Sequence, residues 1–249
     1  KMATECIHCV LKQMDNYFLR FVGDREERFD FLRAVCAEMG TNGETPAAVV
    51  SAKMLRVIKS LAGEDDLFAE EKRVYNQAIL EIEDDVAARI AAADDKLCRA
   101  LQYAMTGNYI DFGPAHEVNR EKLNELIKAA PGINLQPLLE RLRRDISKAR
   151  SLVYLLDNCG EAVLDKICIR TLKELYPDLQ ITAIVRGLPT CNDVTLKEAR
   201  EIGLDELVNV VGNGDDTAGT MLSRITDEAR ALLESADVIL SKGMGNYET

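Results

Sequence analysis

The chain has 249 residues, 47% of them hydrophobic, a net charge of −11, seven cysteines and only two histidines. The length suffices for one large domain or two small ones with a sizeable core. The acidic balance disfavours nucleic acid and anionic membranes as partners, no HExxH zinc motif occurs, and no apolar run approaches the roughly 20 residues of a membrane span. An odd number of thinly spread cysteines argues against a disulfide scaffold and for a reducing, cytoplasmic setting. The opening KMATECIHC lacks the apolar segment of a signal peptide.

Residues 1–150 read as mostly helical. In the opening stretch Cys6-Ile7-His8-Cys9 is a CxxC with an internal histidine and no second pair; it reads as two thiols at a helix start, with a metal site as the alternative. Val10, Met14, Phe18 and Phe21 recur at helical spacing, and a second helix is predicted from Glu26 to Met39, with Gly40 as its stop. Thr45-Pro46 reads as a cap followed by proline, opening a helix that ends at Gly63. From about Leu67 to Met105 the pattern outlasts one ordinary helix; Glu83-Asp84-Asp85 and Asp94-Asp95 mark breaks or new N-termini. The loop from Thr106 to Pro114, with Asn108 and Asp111, reads on its own as a helix–helix turn. Another helix is predicted over about His116–Ala130, stopped by Pro131-Gly132.

From Ser151 the character changes. Apolar runs of strand type alternate with helical segments: Leu152–Leu156, then a helix over 161–175; Ile181–Val185, then 194–202; Leu207–Val211, then about 219–234; and finally Val238–Leu240. This alternation predicts a parallel sheet with right-handed crossovers. The fold class is therefore α/β: a parallel-sheet domain over 148–249, preceded by an all-helical subdomain over 1–147.

Each predicted strand ends in polar or glycine-rich sequence: Asp157-Asn158, then Arg186 to Asp193, then Gly212 to Thr217, then Ser241 to Asn246. In a parallel sheet these four ends share one edge, where ligands of open α/β sheets bind. Asp157, Asn158 and Asp193 supply oxygen donors of the kind a hard divalent cation takes. Lys242 and Arg186 would neutralise a phosphate, and Gly243 and Gly245 would let backbone N–H groups approach it. Asp193 also reads as the N-cap of a helix beginning at Val194, a role that does not exclude ligation. Cys159 and Cys191, beside these residues, read as small side chains suited to tight turns. No GxGxxG follows the first strand, and no Walker A loop or nucleophile elbow occurs.

Three stretches, LLDNCGEAVLDK, IVRGLPTCNDVTLKEA and ADVILSKGMGNYET, resemble the metal-dependent damage-control phosphatases, also described as the acidic-residue methyltransferase-like domain. CIHC and GNYIDFG resemble the compact, CxxC-containing microbial branch of that family. The resemblance spans essentially the whole chain. It implies a helical subdomain packed on a Rossmann-like, three-layer domain, a divalent metal (Mg, Mn, Co or Ni), and hydrolysis of phosphate monoesters of small metabolites. It implies Asp157, Asn158 and Asp193 as metal ligands, with Asp157 and Asp193 as the catalytic carboxylates. It further implies Lys242 on the substrate phosphate, with Arg186, Glu161, Asn108, Asp111, Gly243 and Asn246 as substrate contacts. Family members continue past this last loop with a further strand, whereas this sequence stops at Thr249, so either further residues follow or the sheet is finished differently. Two other readings stand beside it: an S-adenosylmethionine-dependent carboxyl methyltransferase, and a non-catalytic module binding a nucleotide or a protein partner.

Overall fold

The computed structural model describes residues 4–41, 46–107 and 120–249; Asn108 and Asp111 lie outside the described residues. The first helices follow their apolar spacing: α1 (Thr4–Phe21), α2 (Glu27–Thr41) and α3 (Ala47–Ala62), the last preceded by Pro46 and stopped by Gly63 in the left-handed conformation, φ 74°. The long helical stretch divides into α4 (Ala69–Leu80), α5 (Glu83–Ala91) and α6 (Lys96–Gly107). Glu83, Asp84 and Asp85 fill the first turn of α5, where the helix dipole favours negative charge. Asp95 accepts from the Cys98 backbone N–H at 3.0 Å, capping α6. Then follow α7 (Arg120–Ala129), a short 3-10 turn, and α8 (Gln136–Ile146), a helix the pattern did not single out.

The second half alternates β1 (Ser151–Leu155), α9 (Glu161–Leu175), β2 (Gln180–Val185), α10 (Leu196–Glu201), β3 (Asn209–Gly212), α11 (Asp227–Ser235), β4 (Val238–Ser241) and α12 (Met244–Glu248). The helix expected over about 219–234 begins only at Asp227, because Thr226 is its cap and accepts from the Ala229 N–H at 3.3 Å. The strands are parallel in the order β3-β2-β1-β4. The chain thus winds outward from β1 to β3, then returns to place β4 on the other side of β1. The reversal leaves a crevice between the carboxyl ends of β1 and β4.

Alternating strand residues serve the two faces. Leu152, Tyr154, Ala183 and Val185 join a core with α9 and α10, which also includes side chains of α4 to α8. Val153, Leu155 and Ile184 meet Ile225, Ala229 and Leu233 on the opposite face. The bundle α1–α3 has a separate core of Val10, Met14, Phe18, Phe31, Val35, Val50 and Ile58, closed by Leu67 and Phe68. Burial of such a side chain is worth about 1.5–3 kcal/mol. One contact ties α6 closely to α9: a β-carbon at Gly107 would lie 2.8 Å from Glu161 Cγ, closer than carbon atoms pack.

Candidate active site at the switch of the sheet

Backbone pairing brings the first two strand ends together. Beyond β1, the Leu156 N–H donates to Ile184 O at 3.0 Å, the Val194 N–H to Asp157 O at 2.8 Å, and the Cys159 N–H to Asn192 O at 2.8 Å. Asn158 and Asp193 thereby form an isolated antiparallel bridge. Helix α10 is not capped by Asp193. Thr195 caps it in a capping box with Glu198, and the helix begins at Leu196. The Asp193 carboxylate is left free to turn inward.

There it meets Arg186, which is 2% exposed. The guanidinium Nε donates to Asp193 at 2.6 Å and Nη2 to Asp157 at 3.1 Å. Its Nη1 donates to Gly219 O and to the Asn246 side chain, both at 2.8 Å. Arg186 is therefore a strut between the two aspartates and the loop carrying Asn246. The Asn158 amide nitrogen donates to Asp157 at 2.7 Å and Glu161 at 3.3 Å, which leaves its amide oxygen as the atom open to a cation.

Across the crevice, β4 delivers Lys242. Its ammonium donates to Ala104 O at 2.9 Å, to Asp165 at 2.8 Å, and to Glu161. All three of its protons are thus committed to protein acceptors. Asp165 also accepts from the Tyr154 hydroxyl at 2.6 Å, while its second oxygen is buried without a partner among the described residues. Gly243 follows with φ 79°, and a β-carbon there would collide with the Asp157 carboxylate. The Asn246 amide nitrogen donates to Leu156 O at 3.1 Å and Lys242 O at 2.7 Å, tying the last turn to the end of β1.

Electrostatics mark this edge. Among the described residues Asp157, Glu161, Asp165 and Asp193 are buried beside two buried cations, Arg186 and Lys242, so the four carboxyl groups, when ionised, exceed the cations by two charges. The neighbouring Lys72 is matched by Asp66 at 2.9 Å and Glu198 at 4.0 Å. Burial, and next the charge of Asp193, push the Asp157 carboxyl up to about 7. Burial also raises Asp193, against the pull of Arg186, and brings Asp165 to about 6. Burial alone would lower Lys242, but Asp165 and Glu161 outweigh it and hold the ammonium above its usual range.

A divalent cation suits this donor set: its oxygens are hard donors, and its excess of two negative charges equals the charge of the ion. Among the described residues no three His, Cys, Asp or Glu side chains converge as a cage, so the set here is two carboxylates and an amide. At the amino end, Cys6 is half-buried and His8 and Cys9 are exposed.

Sequence reasoning passed over Tyr154, Asp165 and Asn76. Asp165 stands four residues after Glu161, one helical turn along the same face, and that spacing was the available signal. Asn76 of α4 accepts from the Gly160 N–H at 2.6 Å, and nothing local to α4 foretold it.

The chain matches the damage-control phosphatase ARMT1-like domain over residues 2–249. It is 31% identical to an uncharacterised protein of Methanocaldococcus jannaschii, over 100% of this chain and 83% of that protein. It is 30% identical to a damage-control phosphatase of Archaeoglobus fulgidus, over 81% of this chain and 69% of that protein. Its fold is similar to the crystal structure of a DUF89 family protein from Pyrococcus horikoshii, with a TM-score of 0.83 at 23% identity, covering 99% of this chain and 86% of that one. A match over nearly its whole length makes this chain a member of the damage-control phosphatase ARMT1-like domain family.

Proposed function

We propose that the chain is a metal-dependent phosphatase that hydrolyses phosphate monoesters of small metabolites, sugar phosphates and damaged phosphometabolites. Membership of the family and the damage-control phosphatases among its relatives support the reaction class. The observation that carries the metal is the excess of two buried carboxyl groups over buried cations at the carboxyl edge of the sheet. Asp157, Asn158 and Asp193 would hold the ion (Mg, Mn, Co or Ni), which when bound supplies Lewis-acid polarisation of a phosphoryl oxygen.

The remaining roles belong to the chain. Arg186 fixes the spacing of Asp157 and Asp193, the catalytic carboxylates, and holds Asn246 against the same wall. Lys242 meets the substrate phosphate by exchanging one of its three protein acceptors for a phosphate oxygen. Glu161 and Asp165 keep the ammonium charged throughout. Gly243 keeps the last loop close against Asp157, where backbone N–H groups can approach the phosphate. A cytoplasmic setting is supported by seven free cysteines, and no helix among the described residues is long and apolar enough to cross a membrane.

The test is phosphate release from p-nitrophenyl phosphate and a panel of sugar phosphates, using chelator-treated protein with Mg²⁺, Mn²⁺, Co²⁺ or Ni²⁺ added singly. Turnover with at least one metal, lost in Asp157→Ala, is expected. Silence with every metal overturns the proposal.

A further inference from the structure

The loop between β2 and α10 carries a backbone conformation that its local sequence does not demand. Cys191 has φ 41°, and among the described residues it alone, glycines aside, occupies positive φ. A residue with a β-carbon is disfavoured there and stays only where its surroundings impose the conformation.

Those surroundings come from the other end of the chain. Cys191 packs against the core of the α1–α3 bundle. Its thiol meets the Tyr17 hydroxyl and the Thr190 side chain. Tyr17 is itself held: it accepts from Gln13 Nε2 at 3.2 Å, and its ring stands edge-on to Phe68 with centroids 5.2 Å apart. On the same loop, Lys59 of α3 donates to Pro189 O at 2.5 Å. Two residues after Cys191 comes Asp193, whose N–H closes the turn on Thr190 O at 3.1 Å and whose carboxylate reaches Arg186. The turn is gripped by the bundle on one side and presents Asp193 on the other.

We propose that Cys191 is a positioning residue, through which Tyr17 and the α1–α3 bundle hold the Thr190–Asp193 turn in the one conformation that aims Asp193 into the site. The proposal rests on the reading of Asp193 as a catalytic carboxylate. Glycine would adopt this φ without strain but offers the bundle nothing to hold, so substitution separates the two contributions.

Cys191→Gly, Cys191→Ser and Tyr17→Phe are compared with the full wild-type chain by steady-state kinetics on p-nitrophenyl phosphate. Amide hydrogen exchange of the peptide spanning 187–195 is measured alongside. In Cys191→Gly we expect kcat to fall about tenfold with KM within about twofold, and exchange to quicken about tenfold. Cys191→Ser, which keeps a small polar group facing Tyr17, stays within about threefold of wild type in both readouts, and Tyr17→Phe falls between. Wild-type kcat in Cys191→Gly overturns the proposal, as does a serine variant impaired as much as the glycine variant. If the wild-type chain turns over nothing with any metal, the phosphatase reading fails. The exchange comparison then decides by itself whether the bundle holds the turn.

Discussion

The α1–α3 bundle and the carboxyl edge of the sheet bury opposite kinds of side chain. Among the described residues of the bundle every buried side chain is apolar, from Val10 and Met14 to Leu55 and Ile58. The sheet edge buries Asp157, Glu161, Asp165, Arg186, Asp193 and Lys242 within one connected network. Apolar burial stabilises outright, whereas buried charge is tolerated only with partners, and here four carboxyl groups share two cations. The difference teaches where stability and chemistry reside: the first region holds the molecule together, and the second stores unfavourable charge for use.

That division can be broken by mutation. Asp157→Ala is expected to cost about a thousandfold or more in kcat while leaving the fold intact, since it removes a ligand along with a destabilising charge. Steady-state kinetics and calorimetric titration with Mn²⁺ check it, and retained turnover would move the chemistry elsewhere. Phe31→Ala, within the bundle core, should cost about 3–5 kcal/mol in denaturant unfolding, with kcat of the folded enzyme within about twofold of wild type. A parallel collapse of kcat would erase the distinction between the regions. Gly243→Ala straddles both: its φ of 79° and the collision with Asp157 predict a loss of about 1–3 kcal/mol together with impaired activity.

The smallest expected effect concerns pH. The folded Asp157 carboxyl titrates near 7, above the 3.8 of a free side chain, so the fold binds this proton more tightly than the unfolded chain does. Metal-free protein therefore gains stability from this group as pH falls from about 8 toward 4, and loses it as pH rises through 7. A higher melting temperature at pH 6 than at pH 8 is expected, with a smaller difference in Asp157→Asn. An equal difference in the variant would assign the titration to another group.

Much of this was legible in the residues themselves. The β-α alternation after Ser151, the break of an apolar strand into Asp157-Asn158, and the gathering of four strand ends are local patterns, and locality is what sequence displays. The partners of Lys242 were not visible, because Ala104, Glu161 and Asp165 lie 138, 81 and 77 residues away and meet it only through the fold. In the sequence Asp193 reads both as a cap and as a ligand, because a capping aspartate and an inward-turned one look alike two residues before Thr195. The grip of Tyr17 on Cys191 joins the first helix to a loop 174 residues later, and no periodicity within either one announces it.

The close approach of α6 to α9 at Gly107 has a consequence for how this protein can change over time. Ala104, three residues earlier, supplies the carbonyl that receives Lys242, and Gly107 is the position that lets its helix sit near enough to do so. A substitution there would spread two packed helices and withdraw an acceptor from the ammonium in one movement. Inherited variation at Gly107 should then be screened by its effect on substrate capture before any effect on folding yield, although the residue itself carries no functional group.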